Sequence, residues 1–435
     1  MNFKRKTGLL AGVSCVAGAV LLSACSGSGG SSSGSTTPTP PTNGVTLTTL
    51  HAFGATSIDA HAPNSPLILG SDGNFYGVTY SGGANDLGAL FKFSPAGVET
   101  VVYSFGASSS DGTQPASVIQ GTDGNFYGTT VTGGSYGTGS CAAALTDCVP
   151  GDGTIFKFNP TTGVETVLYS FGAISTDGIN PNGNLLLASD GNFYGTTGAG
   201  GANSNGAVFK VSTSGIETLL YSFGSGSSTD AKTPSAGLIQ GSNGELYGTT
   251  TLGGAHGSGA VFQISTGGIE SVLYSFGNAT NDGSTPYAAL LQGSDGNLYG
   301  TTIFGGSNKL GSLFKVTTGG AESIVYSFGS SSTDGTLPYD SVIEDSSGNF
   351  YGTTYSGGAY GSSLCVGATT SCYPGYGTIF KVTSAGAESV LYSFGSTATD
   401  GIYPAGGLIL NGGTFYGATT AGGAYSGGIL FSLLN

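Results

Sequence analysis

Seven aspartates, Asp59, Asp111, Asp177, Asp230, Asp282, Asp334 and Asp400, each stand four residues before a proline. Such a set could form a ring of carboxylates that holds a cation at a channel mouth. It could equally be a set of turns, since an aspartate side chain bonds its own following backbone and proline presets φ. Sevenfold repetition favours the turn, because a single active site needs residues that break a repeat. Those residues are few. Lys232 stands in D-A-K-T-P, His256 in G-G-A-H-G-S-G and Lys309 in G-G-S-N-K-L-G; two insertions add Tyr136, Asp152, Tyr360, Tyr373 and Tyr376. Aromatics with a polar tip on polar loops suit contact with a glycan or a protein. No Ser-His-Asp set, HExxH helix, Cys-His pair, phosphate-binding loop or glycosidase-like carboxylate pair can be assembled from the chain. The residues therefore point to a binding or scaffold module without cofactor or metal. The alternative is a hydrolase or lyase acting on an extracellular glycan or lactone at a channel mouth.

The elements that carry these residues repeat. The phrase S-D-G-N-F-Y-G-V-T-Y-S-G-G at residues 71–83 returns six times in close variants, with its F/L-Y-G tyrosine at 76, 127, 194, 247, 299, 351 and 416. The spacings are 51, 67, 53, 52, 52 and 65 residues, a period that fits a four-stranded propeller blade better than a solenoid coil. In the fourth unit the strands read SAGLIQG, ELYGTTT, GAVFQIS and IESVLYSFG. Asn-Gly, Asp-Gly and Gly-Gly turns between apolar runs mark the hairpins. The seventh unit stops after its third strand, and T-L-T-T-L-H-A-F at residues 46–53 fits the missing fourth. The expected fold is all-β: a seven-bladed β-propeller of four-stranded blades, closed by the N-terminal strand completing the last blade. Five lysines and five glutamates, such as Lys92 with Glu99 and Lys157 with Glu165, are expected opposite one another on the third and fourth strands.

Strand parity sends the connections after second and fourth strands to one face. Those connections are long and variable, whereas the turns on the other face are tight, so the long-loop face is the candidate binding face. Its candidate residues are Tyr136, Asp152, Lys232, His256, Lys309, Tyr360, Tyr373 and Tyr376. Cys141 and Cys148 lie in the insertion of blade two, Cys365 and Cys372 in that of blade six. Those blades stand nearly across a seven-membered ring, beyond disulfide reach, so each pair is expected to close locally in an oxidising compartment. Each short loop so closed is worth roughly 2–3 kcal/mol.

The first residues read as an address. Lys4, Arg5 and Lys6 precede an apolar stretch, Gly8 to Leu22, that is short for a membrane span. The tetrad Leu22-Ser23-Ala24-Cys25 resembles the lipobox of bacterial lipoproteins, which implies lipidation at Cys25. Residues 1–24 are then a signal peptide, 25–44 the anchor and a Ser/Gly/Thr/Pro tether, and 45–435 the propeller. The same resemblance, with Ser26 after the cysteine, implies an exported chain held in the outer membrane by lipid alone. Beyond Cys25 seven basic residues face 24 acidic ones, a balance that excludes nucleic acid as a partner. A glycan or protein at the cell surface remains, bound by a monomer. Finally, the unit G-N-x-Y-G-T-T…G-G…G-x-x-F-K…L-Y-S-F…D-G…P resembles the GloVer tandem repeat of bacterial surface proteins, over residues 46–435. That resemblance implies export and anchoring and no established activity.

Overall fold

The computed structural model describes residues 45–95, 97–137, 151–225, 228–361 and 375–434. Cys25, all four loop cysteines, Tyr373 and the leader lie outside them. Among the described residues there are strands and turns and no helix. The strands form seven antiparallel sheets arranged as a seven-bladed β-propeller. In blade two the strands Gly112–Gln120, Phe126–Gly133, Thr154–Asn159 and Val164–Ser170 follow one another outward from the channel. In the last blade Leu47–Ala52 pairs with Ile429–Leu434, with Leu47 opposite Leu433 and Ala52 opposite Ile429. The N-terminal strand thus closes the ring and covers what would be an open edge.

The repeated phrase has a local cause. In blade two, Asp123 accepts the N–H of Asn125 at 3.1 Å, the Asn125 side chain at 2.7 Å, the Tyr127 hydroxyl at 2.8 Å and Lys157 Nζ at 3.2 Å. Gly124, at φ +78°, completes the turn. The following glycine is there for packing: a Cβ on Gly128 would lie 2.4 Å from the Phe156 ring.

The core lies between blades. Each S-F-G phenylalanine is fully buried and meets edge-on the third-strand phenylalanine of the next blade, as in Phe105 with Phe156 at 5.0 Å and Phe276 with Phe314 at 4.9 Å. Phe53 with Phe91 at 5.2 Å carries the same edge-on contact through the closing blade, and Phe394 with Phe431 at 5.3 Å a tilted form of it.

Two expectations need correction. Lys92 pairs with Thr100 and Glu99 with Phe93, and the other lysine–glutamate sets follow the same register. Lysine and glutamate are one position out of step, so strand alternation sends them to opposite faces. The lysine reaches across the second strand to the turn aspartate, at 3.2 Å for Lys157 and Asp123. The second correction concerns the stretch between Asp and Pro, expected as part of a connection. It already belongs to the inner strand: Ala231–Pro234 pairs with Leu246–Gly253. Proline is tolerated because this strand is an edge toward the channel.

Candidate functional site

The residue before each proline adopts a left-handed conformation, from Gln114 at φ +54° to Tyr403 at φ +58°. Non-glycine residues rarely sit there. What holds them is an inter-blade bond: Gln114 N–H donates to Leu87 O at 2.8 Å, Asn180 to Asp152 O and Tyr403 to Tyr376 O, both at 2.9 Å. Seven such stitches hold the inner strands at the long-loop face.

On this sevenfold frame one sector departs from the repeat. Blades five and six carry Tyr287 and Tyr339 after the inner-strand proline, where the other blades have Asn, Ser or Ala. Tyr403 occupies the left-handed position in blade seven, and Tyr355 directly follows the second strand of blade six, Phe350–Thr354. Their rings form a chain: Tyr287 to Tyr339 at 4.4 Å, Tyr339 to Tyr355 at 5.9 Å, then Tyr355 stacked on Tyr403 at 4.8 Å and 16°. Tyr376 closes it edge-on against Tyr403 at 6.0 Å. All five are half-buried. Burial raises the pKa of Tyr339, with Tyr287 and Asp340 adding to it, and raises those of Tyr355 and Tyr403 as well. The Tyr339 and Tyr287 side chains share a hydrogen bond, and the phenols of Tyr355 and Tyr403 keep their protons. Beneath them Asp340 accepts Thr353 Oγ1 and Gly406 N–H, each at 2.9 Å. Burial pushes its carboxyl up to about 6 against those bonds.

The residues singled out from sequence sit around the ring on the long-loop face. Tyr376 and Asp152 hold the same slot in blades six and two, packed over Gly395 and Gly172 respectively. Tyr376 alone of the set's described residues joins the tyrosine chain. Asp152 lines a cleft of ≈ 400 Å³ with Asp177, and its pKa is raised by burial and by that neighbour. Tyr136 is half exposed, and its backbone carbonyl accepts Asp152 N–H at 3.1 Å. Lys309 adopts φ +64° and its ammonium donates to Thr280 O. Lys232 pairs with Leu252 in the inner strand, and His256 is exposed in its loop. Tyr360 is half-buried at the start of the blade-six insertion. Tyr373 lies outside the described residues, and among the others Tyr376 is the one with a ring contact to another tyrosine. The four tyrosines the sequence reading missed, Tyr287, Tyr339, Tyr355 and Tyr403, do converge; their signal is a substitution at fixed repeat positions, visible once the units are laid over one another.

The repeated aspartates take the turn role, and they do so at the outer rim, away from the channel mouth. Asp111 accepts Ala107 N–H and the Tyr103 hydroxyl, both at 2.8 Å, and Tyr103 also reaches Glu165 of the next blade at 3.4 Å. The same tyrosine–aspartate–glutamate rim recurs, as with Tyr326, Asp334 and Glu388. At the closing blade His51 replaces the tyrosine, beside Asp59 and Glu99. Burial lowers the pKa of His51 against the pull of Asp59. At the rim after blade six the glutamate place falls to Leu47.

Fold and site together define a repeat-built seven-bladed propeller whose backbone repeats sevenfold at the mouth and whose side chains there include one aromatic sector. The chain belongs to the Gloeobacter/Verrucomicrobia repeat family, whose model matches residues 12–146 and 144–366. Comparison with curated protein sequences finds no match. Among solved structures the chain is similar to an oligogalacturonate lyase from Vibrio parahaemolyticus, with a TM-score of 0.51 and 10% identity over 89% of this chain and 96% of that one. A gluconolactonase from Xanthomonas campestris gives 0.41 and 10%, covering 90% of each chain. TolB from Acinetobacter baumannii gives 0.38 and 14%, over 69% of this chain and 58% of that one. At such identities the first likeness is one of fold.

Proposed function

We propose that the protein is a lipid-anchored, extracytoplasmic binding module that takes a glycan on the tyrosine sector of its channel mouth. The observation that carries this reading is the run of five tyrosines across blades five to seven, on a frame that otherwise repeats. Stacked, half-exposed phenol rings offer apolar faces to sugar C–H surfaces and hydroxyl tips to sugar oxygens. A catalytic site asks for unlike polar groups gathered within hydrogen-bond reach of one another. This sector instead gathers one residue type over Asp340, whose oxygens accept Thr353 within blade six and Gly406 N–H of blade seven. Binding is therefore preferred over hydrolysis or elimination.

The test is a glycan array probed with the chain starting at Val45, beside the same chain carrying Tyr355→Thr. Signal on a defined glycan that falls in the variant supports the proposal; equal signal from both moves the site elsewhere. The anchor is checked separately. Metabolic labelling with a palmitate analogue should mark the whole chain and vanish in Cys25→Ser, and label persisting on that variant removes the lipid from the account.

A further inference from the structure

The outer rim between blades is built the same way in six places: a tyrosine hydroxyl of the outermost strand donates to the aspartate of the following connection, at 2.8 Å for Tyr103 and Tyr392. At the seventh, where the N-terminal strand enters, the residue is His51. An imidazole does not reproduce that bond. Its Nε2 is shielded from solvent and has no hydrogen-bond partner. Glu99 Oε1 across the rim is unpartnered too, as its counterparts are at the other rims that carry a glutamate. One ligand atom each from His51, Asp59 and Glu99 lie within 4.8 Å of one another. Among the described residues no other three His, Cys, Asp or Glu side chains come so close.

Asp59 is fixed in place for such a role. It accepts Gly54 N–H at 2.8 Å and Ala55 N–H at 2.9 Å on one oxygen, and Ala60 N–H at 2.9 Å on the other. An ionised carboxylate offers about four lone-pair sites, so one remains after these three bonds. The three side chains come from three segments: the closing strand, the connection after it, and the outermost strand of blade one. The His51 nitrogen, shielded and unpartnered beside two carboxyl groups, is an unsatisfied polar atom, and a group left so is costly.

We propose that His51, Asp59 and Glu99 form a divalent transition-metal site, with zinc as the best fit, that fastens the N-terminal strand to blade one. One imidazole and two carboxylates are zinc ligands, and the half-exposed setting leaves the fourth tetrahedral position to water. Calcium fits less well, since it asks for six to eight oxygens. The two carboxylates balance the ion's charge. Binding there braces the closing strand, which is held to the last blade by its pairing with Ile429–Leu434, against blade one.

The experiment uses the full chain, stripped with chelator and titrated with zinc by calorimetry, with cobalt absorption as a second readout. The expected result is one equivalent bound at this site, a melting temperature that rises with zinc, and the intense visible bands of tetrahedral cobalt. His51→Tyr restores the residue of the other six rims and so keeps the fold; it should lose the binding, the bands and the zinc-dependent rise. Glu99→Gln, which keeps the side-chain volume, should weaken binding at least tenfold. The proposal is overturned if the stripped wild-type chain takes up no zinc. It is also overturned if His51→Tyr binds zinc as the wild type does, which would place the ion on the chain's other histidines or its cysteines.

Discussion

Tyr403 shows how a single residue can depart from a repeat without disturbing it. Its left-handed backbone is shared with Thr233 and Thr285 at the same position of blades four and five. The inter-blade bond made by its N–H is independent of the side chain. Replacing it by threonine therefore keeps a residue the frame already tolerates and removes only the ring that stacks on Tyr355. The expected change in stability is under about 1 kcal/mol. Affinity for a glycan found on the array should fall about tenfold, equivalent to ~1.4 kcal/mol. Calorimetric binding beside a thermal melt separates the two effects. Unchanged affinity in Tyr403→Thr would remove this ring from the binding surface.

At the scale of strands and blades, much was legible in the sequence. Gly124 and Asn125 announce a tight turn, Tyr127 and Phe126 a buried strand, and the period between such phrases a blade. The missing fourth strand of the last unit led to Leu47–Ala52. What stayed hidden has physical reasons. A one-residue slip separates Lys92 from Glu99: Phe93 is the residue opposite Glu99 across the turn, and that first pair is set by the turn's geometry, which the sequence does not display. The tyrosine sector draws on three blades, so its members lie far apart in sequence and meet only once the ring closes. The closing strand also carries a stability prediction. Phe53 is fully buried and meets Phe91 at 5.2 Å, the contact each blade makes with the next. Phe53→Ala should cost about 3–5 kcal/mol, and a chain starting at Ala55 should melt lower than one starting at Val45. Equal melting temperatures for the two chains would mean that the closing strand contributes nothing to the ring.

For the whole molecule, two sets of carboxyls titrate in opposite directions and so set the pH of greatest stability. Burial, reinforced by the neighbouring rim aspartate, lifts Glu165 and Glu388 to about 8 and Glu217, Glu270 and Glu322 to about 7, from an ordinary 4.5. Each has a buried oxygen without a partner, which makes the charged form costly there. A group whose folded pKa is raised stabilises the fold below its unfolded pKa, and that contribution is lost as pH rises through the folded value. The turn aspartates run the other way. Burial alone would raise Asp123 and Asp345, but bonds from Asn125, Tyr127 and Lys157 to the first, and from Asn349, Tyr351 and Ser347 to the second, hold both at about 2. Their contribution is present above the ordinary aspartate range and fades only as pH falls toward 2. The two windows overlap between about pH 4 and 5, where the melting temperature should peak. It should then decline from pH 5 to pH 8 as five rim glutamates are forced to ionise. Net negative charge pushes in the same direction, so the rim must be separated from the overall field. Glu165→Gln and Glu388→Gln together should raise the melting temperature at pH 8 and leave it nearly unchanged at pH 5. Glu245→Gln, in a tight turn of blade four away from the rim, should change neither by a comparable amount. The sequence itself offers a precedent in Leu47, which fills the glutamate place at the rim after blade six. A melting temperature that is flat or rises between pH 5 and pH 8 would show that these glutamates are solvated in the folded ring and that the rim stores no protons.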